Sequence, residues 1–213
     1  MADSRESYEK VLKTFLAILG ENHEKTAQAY SDLGIVLQHL GHLDESKSRQ
    51  QSALHSYENS LGEYHPSTAQ CLNVLGLLVD QMGEPSGALR YFKRALSIRE
   101  QLPESNISDI AAVQYNIGTV LFEMEEYLKS RSYLQQALTT LDSAQVPENL
   151  QVASCLVNLG YVSAKLRDLK QSEIYLLRAI SIMEKELGKE NPQIPGVKNM
   201  LKTVQKQLRH KRK

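Results

Sequence analysis

The sequence predicts an all-α protein, an α-solenoid built from antiparallel helix pairs. The first observation behind this prediction is a set of small-residue columns that recur every 42 residues without a gap. The columns contain Leu33-Gly34, Leu75-Gly76, Ile117-Gly118 and Leu159-Gly160, then Ala53, Ala95, Ala137 and Ala179, and finally Ala27, Ala69, Ala111 and Ala153. A fixed period of this size is the signature of a solenoid, in which each unit packs on its neighbours. The second observation is the i, i+3, i+4 spacing of apolar residues, which indicates amphipathic helices.

One repeat, residues 68–102, shows how each helix pair is built. The turn is expected at residues 82–85, MGEP, because glycine commonly ends a helix and proline can open the next one. Gly76 lies inside the first helix, where a glycine costs about 1 kcal/mol relative to alanine. We therefore expect Gly76 to permit a close crossing of the two helices, with Ala95 as the small residue on the opposing helix.

The chain is predicted to form a single domain over residues 1–213. It begins with a helix at 5–19 that aligns with the second helix of each later unit. This helix is either half a repeat of a longer protein or an N-terminal cap. The four helix pairs and the C-terminal capping helix then follow at 24–61, 66–103, 108–145, 150–187 and 192–210. The polar junction LPESNISD, residues 102–109, is expected to be longer and more mobile than the others.

Composition and charge argue against several classes of partner. Lys and Arg together number 25, as do Asp and Glu, so overall charge predicts neither nucleic acid nor a membrane as partner. No apolar run approaches the roughly 18 residues of a membrane span, and the N-terminus MADSRESYEK lacks the apolar segment of a signal peptide. Cys71 and Cys155 lie two repeats apart, which is farther than the separation of about 7 Å between Cα atoms that a disulfide allows, so they cannot pair with each other. These features predict a cytoplasmic protein with buried, reduced cysteines.

No catalytic or metal-binding motif is evident in the sequence. It has no phosphate-binding glycine loop, no CxxC, no HExxH and no nucleophile elbow, so we predict no enzyme activity, no metal and no cofactor. His39 and His42 could share a metal on a helix, but no third ligand is evident, which favours solvated turn histidines. The C-terminal RHKRK is interpreted as a helix end whose cations suit the helix dipole, with a targeting or nucleic-acid patch as the alternative.

The helix pairs resemble a known repeat. Leu-Gly in the first helix, Ala-Leu in the second, LGEYHPSTA between units and YFKRALSIREQL in the second helix are similar to the tetratricopeptide repeat, in the 42-residue form of kinesin light chains and nephrocystin-like proteins. The resemblance covers essentially the whole chain. It implies a right-handed superhelical α-solenoid that holds a protein or peptide ligand in a concave groove lined by the first helices. The chain has no Trp and no upstream heptad region, so kinesin heavy chain is not an expected partner through this chain alone.

The candidate site consists of side chains within about one turn of each Leu-Gly, on the face that the resemblance makes concave. Amide side chains there can hold a peptide backbone, and the aromatic and leucine side chains offer apolar anchors. The predicted partner-binding residues are Gln28, Ser31, Asp32, Gln38, Gln70, Asn73, Leu77, Asp80, Tyr115, Asn116, Thr119, Phe122, Asn158, Tyr161 and Lys165, together with Ile35 and Ser154. This face carries two acidic residues, Asp32 and Asp80, and Lys165 is its only cation. Specificity for an acidic peptide is therefore not predicted.

The predicted function is a non-catalytic adaptor or scaffold module that binds a partner peptide in this groove. The alternative is a structural array that self-associates or forms the C-terminal arm of a larger scaffold protein. A polar groove without a dedicated ligand is the third interpretation.

Overall fold

The computed structural model describes residues 2–102, 106–145 and 147–210, with side chains described from Arg5 onward. This part of the chain forms ten α-helices and no β-strand. The helices are α1 (Ala2–Leu19), α2 (Glu24–His39), α3 (Leu43–Leu61), α4 (Pro66–Gln81), α5 (Pro85–Gln101), α6 (Ile107–Glu123), α7 (Tyr127–Ser143), α8 (Leu150–Lys165), α9 (Leu169–Leu187) and α10 (Ile194–His210). The predicted all-α array of helix pairs is confirmed. Residues 103–105, in the junction predicted to be longer and more mobile, lie outside the described ranges.

The helices divide into two compact units. Unit 1 contains α1–α5 and unit 2 contains α6–α10. Four helix pairs form within them: α2 with α3 and α4 with α5 in unit 1, then α6 with α7 and α8 with α9 in unit 2. In each pair we call the earlier helix the first helix and the later one the second helix. In addition, α1 packs on α2, and α10 packs on α9. That residues 1–213 form a single domain remains a prediction.

Polar side chains cap the start of every first helix. The capping residues are His23, His65, Asn106 and Asn149. In each case the side chain accepts a hydrogen bond from the backbone N–H two residues later, at 2.9 to 3.1 Å. Such caps satisfy N–H groups that have no partner inside the helix, which fixes where the helix begins.

The turn inside each helix pair contains a residue in the left-handed backbone conformation. In unit 1 the residue is glycine, with φ of 82° at Gly41 and 78° at Gly83. In unit 2 the same position holds Glu125, with φ of 60°, and Arg167, with φ of 63°. A residue with a Cβ atom pays roughly 1–2 kcal/mol for this conformation, whereas glycine does not. Unit 2 therefore carries backbone strain in both of its pair turns.

The close crossing predicted at Gly76 is confirmed, but a different side chain occupies the space. A Cβ atom on Gly76 would lie 2.5 Å from Cε1 of Phe92, whereas Ala95, the predicted neighbour, is not among the nearest contacts. The other first-helix glycines make equivalent contacts, Gly34 with Gln50, Gly118 with Leu134 and Gly160 with Leu176. We call these four side chains, Gln50, Phe92, Leu134 and Leu176, the knob column. A Cβ atom would meet ring or branched carbon atoms of Phe92, Leu134 and Leu176 at 2.5 to 2.6 Å, whereas at Gly34 it would meet the flexible end of Gln50 at 2.8 Å.

A hydrogen bond joins the two helices of three pairs at the same place. The hydroxyls of Ser46, Ser130 and Ser172 donate to the carbonyl oxygens of Gly34, Gly118 and Gly160, at 2.7, 2.6 and 2.7 Å. The equivalent residue in the α4–α5 pair is Ala88, which cannot form this bond. The pair that lacks the hydroxyl is also the one with the largest knob, Phe92.

The apolar side of α10 packs on α9 within unit 2. Ile194, Val197 and Val204 are buried in one cluster with Ile182 and Met183 of α9. Leu201 and Leu208 pack on the edge of that cluster, and the Nζ atom of Lys198 lies 2.6 Å from Oε1 of Glu184. The apolar stripe expected on the last helix is therefore buried against its neighbour, and its cations face solvent.

Candidate functional site

Within each unit, the predicted site residues lie on one side of the first helices, which we call the first-helix face of that unit. It is formed by α2 and α4 in unit 1 and by α6 and α8 in unit 2. All of the predicted residues except Ser31 are at least partly exposed on it. Ser31 is only 8% exposed, and its hydroxyl donates to Oε1 of Gln50 at 3.1 Å while the Gln50 amide donates back to the Ser31 carbonyl at 2.9 Å. The Ser31 side chain thus helps to hold α3 against α2.

In unit 1, several predicted residues line a pocket of about 390 Å³ between α2 and α4. Its lining comprises Gln28, Ser31, Ile35, Tyr57, Pro66, Ser67, Gln70, Cys71, Val74 and Arg99. Tyr57 and Arg99 come from the second helices and were not predicted. Their 42-residue separation, which matches the separation of Gln28 and Gln70, is the sequence signal that could have identified them.

The two second-helix residues hold the amides of this pocket in place. The Tyr57 hydroxyl donates to Oε1 of Gln28 at 2.9 Å, and Nη2 of Arg99 donates to Oε1 of Gln70 at 3.0 Å. Burial raises the pKa of Tyr57 to about 12, so this hydroxyl keeps its proton at neutral pH. The amide Nε2 of Gln28 is also used, because it donates to Asp32 at 2.7 Å. The Gln28 side chain is therefore fixed by contacts inside the protein.

Toward the pair turns, the first-helix face of unit 1 carries polar, acidic and apolar side chains. The amide Nε2 of Gln38 donates to Oε1 of Gln81 at 2.7 Å, which joins α2 to α4. Desolvation raises the pKa of the half-buried Asp80 carboxyl. Leu77, at 44% exposed, is a large apolar side chain open to solvent in this region. Asn73 is half-buried on the same helix.

In unit 2, three predicted residues from two helices line one pocket of about 420 Å³. Phe122 comes from α6, and Tyr161 and Lys165 come from α8. The remaining lining residues are Ala164, Arg167, Met200, Thr203, Val204 and Gln207. We call this the α6–α8–α10 pocket. The contribution of α10 was not predicted, although Leu201-Lys202 continues the Leu-Gly column by 42 residues and marks α10 as the equivalent of a first helix.

Aromatic rings and cations meet at this pocket. The rings of Phe122 and Tyr127 pack edge to face with centroids 5.5 Å apart. The Nζ atom of Lys165 lies 5.7 Å from the centroid of the Tyr127 ring, within the range of a cation–π interaction. The strained residue Arg167 is exposed at the rim. The pocket therefore combines an apolar floor with two positive charges at its edge.

A second pocket of unit 2, about 330 Å³, lies toward the other end of the same helices. It is lined by Tyr115, Leu150, Ala153, Ser154, Val157, Met183, Gln193 and Val197. Burial raises the pKa of Tyr115. Between this pocket and the α6–α8–α10 pocket, Nδ2 of Asn158 donates to Oγ1 of Thr119 at 3.3 Å, and that hydroxyl donates to the Tyr115 carbonyl at 3.0 Å. Asn116 is half-buried on the same face.

The described residues offer little reactive chemistry. Cys71 and Cys155 are free and buried, and burial raises the pKa of each thiol to about 12, so both stay protonated at neutral pH. Within the described ranges, no group of three or more His, Cys, Asp or Glu side chains is arranged to hold a metal ion. Among the described helices, none is long and apolar enough to span a membrane.

Comparison with known sequences finds one family. The sequence profile of the tetratricopeptide repeat matches residues 1–59, 31–101 and 109–193. A comparison with the curated proteins finds no match. The resemblance recognised in the sequence is thus confirmed by a profile that covers more than half of the chain.

Solved structures with the same fold include kinesin-light-chain-like repeat proteins. BtubC (BKLC) from P. vanneervenii has a TM-score of 0.80 at 18% identity, over 96% of this chain and 83% of that one. A putative kinesin light chain of Podosopora anserina, with nearly identical TPR-like repeats, has a TM-score of 0.75 at 14% identity, over 86% and 87%. A Rap protein complexed with competence and sporulation factor has a TM-score of 0.66 at 17% identity, over 94% of this chain and 59% of that one. At these identities the similarity establishes the fold alone.

Proposed function

The chain belongs to the tetratricopeptide repeat family, and from this premise we propose that it is a non-catalytic interaction module that binds a segment of a partner protein on its first-helix face. Proteins of this fold are generally non-catalytic, and their repeats serve protein–protein interaction. One solved relative of the fold is complexed with competence and sporulation factor. The partner proposed here is a protein or peptide, without nucleic acid, membrane or cofactor. The buried free thiols suit a reducing compartment, and we propose the cytoplasm.

The observation that carries this proposal is the composition of the α6–α8–α10 pocket. Phe122, Tyr161 and Met200 come from three helices and line one open cavity of about 420 Å³. Aromatic residues in a pocket that can be fully desolvated by a partner are the usual hot spots of protein interfaces. An apolar side chain of the partner fills this cavity, and its neighbouring carbonyl or carboxylate oxygens accept hydrogen bonds from Lys165 and Arg167.

Arg167 combines a strained backbone conformation with a place in the lining of the pocket. Its φ of 63° is the conformation that glycine adopts in the equivalent turns of unit 1. Replacing Arg167 by glycine would relieve roughly 1–2 kcal/mol of strain and cost about 0.5–1 kcal/mol of glycine entropy. The folded state would gain stability from glycine at Arg167 and equally at Glu125, so what distinguishes Arg167 is the position of its side chain in the lining of the pocket. Strain of this kind clusters at functional sites.

Two matched variants test this proposal. Peptides are first selected from a random display library on the wild-type chain. Their affinity is then measured for Arg167→Gly, which removes the rim cation, and for Glu125→Gly, which makes the same backbone change at a residue that does not line the pocket. Both variants should be more stable than wild type by about 0.5–1 kcal/mol in urea unfolding. Only Arg167→Gly should weaken peptide binding, by about tenfold.

A third variant addresses the floor of the pocket. Tyr161→Ala removes an aromatic anchor and should cost about 2 kcal/mol of binding, roughly 30-fold. Replacing Lys211, Arg212 and Lys213 together by Ala should leave binding unchanged. If the tail variant loses the selected peptides while Tyr161→Ala and Arg167→Gly retain them, the proposed site is wrong and the basic C-terminus is the binding element.

A further inference from the structure

Two pockets of unit 2 lie one after the other along α8. The α6–α8–α10 pocket and the pocket of about 330 Å³ are both lined by residues of α6, α8 and α10. On α6, Phe122 lines the former and Tyr115 lines the latter. On α8, Lys165 lines the former and Ser154 lines the latter, so each pocket lies at the same end of both helices. We call the second one the N-terminal pocket, because it is nearer the start of α8.

The distance between the two pockets follows from helix geometry. Tyr115 and Phe122 are seven residues apart on α6, and Ser154 and Lys165 are eleven residues apart on α8. At a rise of about 1.5 Å per residue, the pockets are separated by about 10–16 Å along the helix axes. An extended chain advances about 3.3 Å per residue and turns every second side chain to the same face. Two side chains on one face that are four residues apart span about 13 Å, whereas a spacing of two gives about 7 Å and a spacing of six about 20 Å.

An oriented amide lies between the two pockets. The half-buried Asn158 donates from Nδ2 to Oγ1 of Thr119 at 3.3 Å, which leaves its Oδ1 atom as the acceptor that the amide still offers. An extended chain has backbone N–H groups without internal partners, and such a group needs an acceptor when an interface buries it. A helix satisfies its N–H groups internally and would cover this oxygen without donating to it. The amide therefore favours an extended chain across this part of α8.

We propose that unit 2 binds an extended segment of a partner protein that inserts two apolar side chains, four residues apart, one into each of these pockets. This inference rests on the proposed function, because it takes the α6–α8–α10 pocket as the first of the two anchor sites. The second anchor site, the N-terminal pocket, is new. A backbone N–H group between the two anchors donates to Oδ1 of Asn158, so the segment lies along α8.

The two pockets differ in charge, which specifies the chemistry of the segment further. Lys165 and Arg167 place two positive charges at the edge of the α6–α8–α10 pocket, so an acidic residue beside the anchor there gains a charge-assisted hydrogen bond. The described lining of the N-terminal pocket is uncharged and comprises Tyr115, Leu150, Ala153, Ser154, Val157, Met183, Gln193 and Val197. Its aliphatic walls suit a side chain of the size of leucine or methionine, which is stabilised by apolar burial alone. The segment therefore carries its acidic residue at one anchor only.

The probe for this proposal is the tightest peptide selected from a random display library on the wild-type chain, synthesised with a fluorophore. Each residue of the peptide is replaced in turn by alanine, and binding to the full chain is measured by fluorescence anisotropy. We expect two apolar positions, four residues apart, at which alanine lowers the affinity by about tenfold or more. A spacing of seven or eight residues would indicate a bound helix and would overturn the proposal.

Protein variants assign each anchor to its pocket. Ser154→Phe fills the N-terminal pocket from an exposed position, and Val157→Ala enlarges the same pocket, so the result does not depend on one substitution. Ser132→Phe is the matched control, because Ser132 is an exposed serine of α7 that lines neither pocket. We expect Ser154→Phe and Tyr161→Ala each to weaken the peptide by about tenfold or more, and Ser132→Phe to leave it unchanged. A peptide without its second anchor should no longer respond to Ser154→Phe but should still respond to Tyr161→Ala.

The outcomes separate this inference from the proposed function. If Tyr161→Ala weakens the peptide while Ser154→Phe and Val157→Ala do not, the proposed function stands and the two-pocket segment is wrong. If the library yields no peptide that Tyr161→Ala weakens, the proposed function fails and this inference fails with it. If sedimentation shows a wild-type dimer that Ser154→Phe dissociates, a second copy of the chain occupies the N-terminal pocket and the proposal is overturned.

Discussion

Substitution of Gly76 by alanine provides the most direct test of how the helix pairs are held together. In an open helix this change gains about 1 kcal/mol, because alanine has the higher helix propensity. Here the new Cβ atom would lie 2.5 Å from Cε1 and 2.6 Å from Cδ1 of Phe92. Carbon atoms pack best at about 3.5–4.0 Å, so α4 and the Phe92 ring must separate by about 1 Å. Overpacking of this size costs about 1–3 kcal/mol, so after the gain in helix propensity we expect a net loss of up to about 2 kcal/mol.

The chain contains a matched control for this substitution. Gly196 lies in α10, and a Cβ atom there would have no neighbour within 4 Å. Gly196→Ala should therefore be neutral or stabilising by up to about 1 kcal/mol. Both variants are compared by urea unfolding followed by circular dichroism. Because repeat arrays can unfold in stages, equality of the wild-type and variant m-values must be checked first. If Gly76→Ala is as stable as Gly196→Ala, the first-helix glycines are not required to make room for the knob column.

Two further predictions concern the same pairs and the buried thiols. Ser130→Ala removes the hydrogen bond to the Gly118 carbonyl and should lower the free energy of unfolding by about 0.5–1.5 kcal/mol. Ala88→Ser supplies the equivalent hydrogen bond to the α4–α5 pair and should be neutral or stabilising. If Ala88→Ser lowers stability by as much as Ser130→Ala does, this account is wrong. Burial raises the pKa values of Cys71 and Cys155 from 9.0 to about 12, so their contribution to stability is complete below about pH 9 and is lost as the pH rises toward 12. The urea midpoint should therefore fall between pH 9 and 11, and the double variant Cys71→Ala, Cys155→Ala should show a smaller fall than wild type; an equal fall would assign the effect to other groups.

The helices and their crossings were predictable because the signals that specify them are local and repeated. A glycine inside an apolar helical stripe is unfavourable in isolation, so its recurrence every 42 residues at Gly34, Gly76, Gly118 and Gly160 indicated a packing role. The residue that uses the space was not predictable in the same way. The knob column contains one glutamine, one phenylalanine and two leucines, so no single residue type marks it in the sequence. Only the structure shows that all four side chains point at the glycine of the preceding helix.

The candidate site was predictable only in part, because its residues come from more than one kind of helix. Resemblance to the repeat, together with helical periodicity, selected one side of each first helix, which is how Phe122, Tyr161 and Lys165 came to be predicted; these three residues line one pocket. Neither signal could reveal that Tyr57 and Arg99 reach across from the second helices to hold Gln28 and Gln70. Those contacts depend on side-chain length and crossing geometry, which a helical pattern does not specify. The burial of Ser31 has the same cause, because Gln50 reaches it from α3.

Departures from the repeat point to function more directly than the repeat itself. Gly41 and Gly83 occupy the left-handed turn position in unit 1, and Glu125 and Arg167 replace glycine in unit 2, Arg167 where the turn borders the α6–α8–α10 pocket. Lys202 interrupts the glycine column on α10, where a further knob could otherwise pack. Neither change is favoured by folding, since glycine is the better residue in the turn and a lysine in the glycine column cannot accept a knob. A sequence that obeys a packing rule in most repeats and breaks it at an exposed position is accepting a local cost, and the exposed side chain gained there is a candidate for binding.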